Sequence, residues 1–139
     1  MDDKFVRDLH KRTFGRTWRW AGQYRASEKN IGIAPESIAV NLRNLVEDIR
    51  AQLDAKAFHI DELAVRFHHR LTVIHPFANG NGRHARLMID IFLRRHGVEL
   101  FTWGNEELTH DGGARSRYID ALRAADNHDY HALIAFVRS

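Results

Sequence analysis

The sequence predicts an all-α domain, a helical bundle that carries one small β-hairpin flap. Three observations lead there. Apolar residues recur every three or four positions through most of the chain, which is the period of a helix with one buried face. Only 2 prolines interrupt the 139 residues, Pro35 and Pro76, so long helices are permitted between them. One stretch departs from the helical period: Tyr24 to Pro35 is polar and glycine-containing, and Ile31 and Ile33 alternate as they would on a short strand. The length fits one domain, residues 1–139, with a single core. The composition, 44% hydrophobic and 28% charged, excludes a disordered chain.

Each element follows in order. Phe5, Val6, Leu9 and Thr13 mark a first helix that closes before Gly15. It opens almost at residue 1 without a capping run, which leads us to expect an upstream segment in the native chain. Trp18 and Trp20 lead to the turn at Gly22, and the flap follows. From Pro35-Glu36-Ser37 onward, Ile38, Leu42, Leu45, Val46, Ile49 and Leu53 form one face of a long helix. Leu63, Phe67, Leu71 and Ile74 form another, with Asp61 as its expected N-cap. The segment Arg83 to His96 is apolar almost all round, which places it in the middle of the bundle, and Gly97 closes it. Leu100, Phe101 and Trp103 make an apolar connection to a glycine turn at 111–113. Helices over Ala114–Ala125 and Tyr130–Val137 complete the chain.

Composition narrows the function. There is no cysteine, which rules out a disulfide framework, a thiolate zinc site and a thiol nucleophile. The longest apolar run, Leu87 to Leu93, is broken by Asp90 and is far shorter than a membrane span. The N-terminus lacks the apolar core of a signal peptide, and the expected location is the cytoplasm. A formal charge of +3 and a pI near 9.6 suit an anionic partner. No nucleic-acid recognition motif accompanies the charge, so a nucleotide is expected and a nucleic acid is not.

The chemistry concentrates in IHPFANGNGRHAR, residues 74–86. Pro76 disfavours helical geometry at His75, so the preceding helix should stop there and leave an imidazole in a loop. Phe77 is the only large apolar side chain before Leu87, which makes it the anchor of that loop. Gly80, Asn81 and Gly82 can turn successive backbone N–H groups toward one point as an anion nest. The next helix starts there, adding its unpaired N–H groups and its positive dipole end. Arg83 and Arg86, three residues apart, share one face of the first turn, and their guanidinium forks suit phosphate oxygens. A histidine beside such a cradle can take a proton from an attacking hydroxyl. Transfer of a phosphorus-containing group is the reaction class this implies. Taken singly, Gly-Asn-Gly is an ordinary turn, Arg86 could pair with Asp90 one turn on, and an isolated histidine is usually structural. Their coincidence within twelve residues is what points to chemistry.

Other candidate sites are weaker. His68, His69 and His75, and the pair His128 and His131, have ligand-like spacings without a convincing further ligand, so packing or solvated histidines are expected. Trp18 and Trp20 could stack a base, but aromatics beside a glycine turn ordinarily fill a core.

The stretch resembles the signature of the Fic (Fic/Doc) family, His-x-Phe-x-(Asp or Glu)-Gly-Asn-Gly-Arg-x-x-Arg. His75, Phe77, Gly80, Asn81, Gly82, Arg83 and Arg86 match it, and the likeness covers nearly the whole chain. The segments WRWAGQYR and RYIDALRAADNHDY are similar to the subgroup called mobile mystery protein B. The resemblance implies a Fic-type bundle and a protein adenylyltransferase that moves AMP from ATP to a hydroxyl side chain of a target protein. Carried over, His75 would be the general base, while Gly80, Asn81 and Gly82 would cradle the phosphates. Arg83 would contact the outer phosphates and Arg86 the γ-phosphate. The flap at about Lys29, Asn30, Ile31 and Gly32 would hold the target as an added strand, and Arg117 or Tyr118 would line the base pocket. ATP is the implied co-substrate and Mg²⁺ the implied metal.

Asn79 departs from the pattern, because the family carries an acidic magnesium ligand there. A neutral amide should weaken the metal. A Fic-fold phosphotransferase and a non-catalytic nucleotide-binding module therefore remain as alternatives. Many members carry an inhibitory Ser/Thr-x-x-x-Glu-Gly/Asn helix. Only Thr102 here has a glutamate four residues on, and Glu107 follows it, so a separate antitoxin or an inhibitory segment outside this stretch is the expected source of control.

Overall fold

The computed structural model describes residues 1–139. Six α-helices follow one another: α1 Asp3–Phe14, α2 Ile38–Asp54, α3 Ile60–Ile74, α4 Asn81–Arg95, α5 Gly113–Asp126 and α6 His131–Val137. Short 3₁₀ turns at Pro35–Ser37 and Trp103–Asn105 precede α2 and α5. The middle pair, α3 and α4, carries the core: α3 packs on α2, α4 and α6, and α1 closes over α2 and α4. Leu42, Leu45, Leu63, Phe67, Leu71, Met88, Ile89 and Leu93 are fully enclosed between them. These are the periodic apolar positions, so the pattern and the packing agree.

The β-hairpin flap is corrected by the structure, which contains no strand. Residues 26–33 take part in no backbone-to-backbone hydrogen bond. A lone two-stranded ribbon is marginal in water, and here Arg25 takes the carbonyls of Ser27 and Ile33 instead. Lys29, Asn30, Ile31 and Gly32 are exposed, the last three forming a run of bends.

Two caps also differ from expectation. Asp2 caps α1, its carboxylate accepting from the Phe5 N–H at 2.8 Å, so the first helix does have its start signal. His59, not Asp61, caps α3, its imidazole accepting from the Asp61 N–H. Asp61 instead receives a two-pronged bond from Arg138 at 2.9 and 3.0 Å, tying the start of α3 to the C-terminal end of α6.

Candidate functional site

The α3–α4 junction builds the site. The α3 helix ends at Ile74, and His75 adopts left-handed backbone angles, φ 52° and ψ 62°, while its N–H closes on the Leu71 carbonyl at 3.0 Å. Pro76 makes continuation of the helix unfavourable, and a left-handed residue outside glycine is an uncommon, mildly strained choice. Phe77 is completely buried and stacks on the ring of His10 with centroids 3.8 Å apart. The loop between the helices is thus pinned at Phe77, as its apolar character predicts.

The next helix begins at Asn81, two residues earlier than its apolar pattern indicates. Of the Gly80-Asn81-Gly82 run, only Gly80 has a positive φ, 77°; Asn81 and Gly82 are already helical. The anion site is therefore the first turn of α4 more than a nest. The first closing bond runs from the His84 N–H to the Gly80 carbonyl, so the N–H groups of Asn81, Gly82 and Arg83 have no partner within the protein, as the opening of a helix requires. The Asn81 side chain is not part of the cradle: it is buried and bonded at both ends to the Phe77 backbone.

A cavity of about 380 Å³ lies over this turn, lined by His75, Asn79, Gly80, Asn81, Gly82, Arg83 and Arg86 together with Leu108, Thr109, Arg115 and Tyr118. Neither Arg83 nor Arg86 pairs with a carboxylate. Asp90, the alternative partner of Arg86, accepts from the Trp103 indole instead. Guanidinium charge and helix end therefore face the cavity without internal neutralisation.

A second cavity of about 520 Å³ opens on the other side of His75, between Ile31, Gly32 and Ile33 of the flap and Ile119, Leu122 and Arg123 of α5. His75, Asn81, Gly82 and Tyr118 border both. The imidazole thus stands at the junction of a cationic chamber and a more apolar groove. Burial pushes its pKa below the usual histidine value, and the cations of Arg25 and Lys29 push it the same way. The ring is neutral at physiological pH, the state in which it can accept a proton.

The structure brings Tyr118 to the site but not Arg117. The Tyr118 hydroxyl meets Nε2 of the buried His68 at 2.7 Å, and Arg86 lies over its ring at 5.8 Å. Arg117, one residue earlier on α5, faces a separate depression with Asp120 and Phe136. Arg117 follows Arg115 by two residues, about 200° round the helix, which turns it away from the side that Arg115, Tyr118 and Ile119 share. Arg115 and Ile119 share the Tyr118 side of α5 and were missed; their spacing around Tyr118 is the signal that could have found them. Lys29 and Asn30 border neither cavity, whereas Ile31 and Gly32 border the second.

Magnesium does not fit the residues present. No carboxylate lines the first cavity, and no group of three His, Asp or Glu side chains is close enough to hold an ion. Asn79 turns its amide oxygen onto the Gly80 N–H at 2.7 Å. A hard divalent cation prefers charged oxygens, and this site offers N–H groups and guanidinium.

Of the other candidates, the tryptophans are packed and His128 and His131 are exposed. Trp18 and Trp20 stack on each other at 4.7 Å and on the Phe14–His10 side, away from both cavities. His69 bonds Asp126, and His128 and His131 join no metal-like cluster.

Residues 1–93 match the profile of the Fic/DOC family. The chain belongs to that family. Among relatives, it is 30% identical over 135 residues to protein adenylyltransferase Fic of Nematostella vectensis, covering 94% of this chain and 30% of that protein. The same-named protein of Aedes aegypti is 27% identical over 138 residues, with 96% of this chain and 26% of that one covered. This chain therefore spans less than a third of the length of these relatives. In fold, it resembles Fic-1 of C. elegans, with a TM-score of 0.75, 24% identity, and 99% of this chain and 40% of that one covered. BepC of Bartonella tribocorum, solved with bound AMPPNP, gives a TM-score of 0.76 at 18% identity, covering 99% and 72%. In the Fic fold of this chain, His75 stands at the end of α3, Arg83 in the first turn of α4 and Arg86 in the second.

Proposed function

We propose that this Fic domain is a protein adenylyltransferase, transferring AMP from ATP to a hydroxyl side chain of a target protein. The observation that carries the reading is that His75, the three free N–H groups of the first α4 turn, Arg83 and Arg86 line one cavity that contains no carboxylate. The triphosphate lies over the helix end, Arg83 on the outer phosphates and Arg86 on the γ-phosphate. His75 takes the proton of the target hydroxyl. The oxygen attacks the α-phosphorus and forms the new P–O bond. The bond to the oxygen bridging the α- and β-phosphates breaks, and pyrophosphate leaves with its electron pair. Positioning and charge neutralisation supply most of the rate. Because the residues do not fit a metal, no step depends on one.

The flap fits the target. Backbone N–H and C=O groups of residues 28–32 make no hydrogen bonds to other backbone groups, which leaves them free to pair with an extended segment laid along them. Tyr118, between the two cavities, borders the nucleotide. Arg86 has no carboxylate partner in the chain, so a separate antitoxin or an inhibitory segment that brings a glutamate to it would block the γ-phosphate position. No helix is long and apolar enough to cross a membrane, and we place the activity in the cytoplasm.

The Asn79 amide favours a second reading, a domain that binds nucleotide and either moves another phosphoryl group or turns nothing over. Incubation with a lysate and ATP labelled at the α- or γ-phosphate separates them. Label from α-ATP alone on protein bands, reduced roughly 10²- to 10⁴-fold by His75→Ala, supports adenylyl transfer. Label from γ-ATP supports a phosphotransferase, and saturable ATP binding with no label supports the binding module.

A further inference from the structure

Arg25 is 4% exposed and has no carboxylate partner. A buried guanidinium is costly unless its N–H groups are satisfied, and here carbonyl oxygens satisfy them. Nε donates to the His75 carbonyl at 2.6 Å, Nη2 to those of Ile74 at 3.2 Å and Ile33 at 2.5 Å, and Nη1 to that of Ser27 at 3.0 Å. The Arg25 backbone N–H adds the Pro76 carbonyl at 2.9 Å. One residue thus holds three consecutive carbonyls, 74 to 76, around the left-handed turn of His75, and also both ends of the flap. Gly32 shows how closely the two are pressed together: a Cβ added there would lie 2.5 Å from Arg25 Nη2 and 2.8 Å from the Cβ of His75.

We propose that Arg25 is a positioning residue that clamps both ends of residues 27–33 onto the turn carrying His75, so that the flap and the base are held in one register. This rests on the reading of His75 as base and of the flap as target-holding segment. A target hydrogen-bonded along the flap is thereby placed at a set distance from the imidazole, since both are fixed to one guanidinium. A strained turn persists only where its surroundings over-determine it, and two side-chain contacts from Arg25, to the carbonyls of Ile74 and His75, add to its backbone bond to Pro76 to supply that constraint. Without the guanidinium, the His75 turn keeps only the backbone bond and can relax, and the flap is tethered only by its covalent ends. Arg25 touches neither cavity, so its effect reaches the reaction through His75 and the flap.

The test compares wild type, Arg25→Met, Arg25→Lys and Gly32→Ala, with thermal melts to keep only folded variants. Gly32→Ala attacks the clamp from the exposed flap and does not depend on Arg25→Met folding. Trypsin cleavage after the exposed Lys29 should accelerate at least about tenfold in Arg25→Met and in Gly32→Ala. Turnover should fall by a similar factor while ATP affinity by calorimetry stays within about threefold. Arg25 and Lys29 are the charged groups bearing on the His75 ring. Its NMR titration should therefore move to higher pH in Arg25→Met and stay put in Arg25→Lys, which keeps the charge but cannot span four carbonyls. Arg25→Lys should nonetheless loosen the flap. Unchanged cleavage after Lys29 in both Arg25→Met and Gly32→Ala would overturn the clamp, as would ATP affinity falling in step with turnover. If wild type transfers no AMP, the function fails while the cleavage and titration arms still decide the clamp.

Discussion

Phe77 and Asn81 hold each other through a reciprocal pair of hydrogen bonds: the Phe77 N–H donates to the Asn81 Oδ1 at 2.9 Å, and the Asn81 Nδ2 donates to the Phe77 carbonyl at 2.7 Å. The pair is buried, and it closes the loop between His75 and the first turn of α4. Asn81→Ala leaves a buried N–H and a buried carbonyl without partners, at a cost of about 1–3 kcal/mol. For a domain of this size, that should lower the melting temperature by roughly 2–10 °C. Calorimetry with ATP should also show weaker binding, because the helix end is no longer fixed against Phe77. A melting temperature unchanged from wild type would show that the loop has another anchor.

The same pair shows what the sequence could and could not reveal. The apolar periods of α2, α3 and α4 were legible because burial on one helical face leaves a repeating trace, and Leu42, Phe67 and Met88 are buried where that trace puts them. The break at His75 was legible because Pro76 acts locally. The roles of Asn81 and Arg25 were not, because their partners lie at the far end of a loop or 50 residues away. The flap was misread for a related reason: alternation at Ile31 and Ile33 signals an extended backbone, but pairing needs a second strand, and Arg25 takes the carbonyls one would use. Of the two residues named for the base pocket, Tyr118 lines the cavity and Arg117 a separate depression, a difference that only the helix's rotation against α3 and α4 decides.

Arg86 stands in the cavity without a carboxylate and leans over Tyr118 at 5.8 Å. A hydrogen bond to a charged group contributes about 1.5–3 kcal/mol, so Arg86→Ala should weaken ATP binding by roughly 10- to 150-fold. ADP should be affected far less, since Arg86 is assigned to the γ-phosphate. Calorimetry with the two nucleotides checks this, and equal losses for both would move Arg86 to an inner phosphate.

His84 is buried in α4, donating Nε2–H to the Val6 carbonyl at 2.8 Å, and burial pushes its pKa down to about 4. An unfolded histidine titrates near 6.5. Between these values the unfolded chain binds the proton and the folded one does not, so stability falls as pH drops from about 6.5 toward 4. The loss attributable to this one group is on the order of 3 kcal/mol over that interval. His68, pushed to about 3 by burial with Arg86 adding to it, acts in the same direction. Urea titrations at pH 7, 6 and 5 should give steadily lower midpoints. In His84→Gln, which keeps a donor for Val6, the decline should be shallower, and an identical decline would exclude His84 as a source.

Asn79 sits where a carboxylate would bring a metal to the phosphates, and its amide oxygen is committed to the Gly80 N–H at 2.7 Å. The cavity then relies on N–H groups and guanidinium alone. Wild type should bind ATP in EDTA at least as tightly as in magnesium, because the free tetra-anion is the better partner for Arg83 and Arg86. Asn79→Asp reverses this dependence. Its carboxylate can still accept from Gly80, but without metal it adds a negative charge beside the phosphates and should weaken binding in EDTA. With magnesium it supplies the charged oxygen that the ion prefers, so affinity should recover and transfer of AMP should exceed that of wild type. Calorimetry and α-labelled ATP, each with and without magnesium, measure both effects. Magnesium-dependent binding in wild type, or metal-independent binding in Asn79→Asp, would show that the cavity draws its metal from groups other than residue 79.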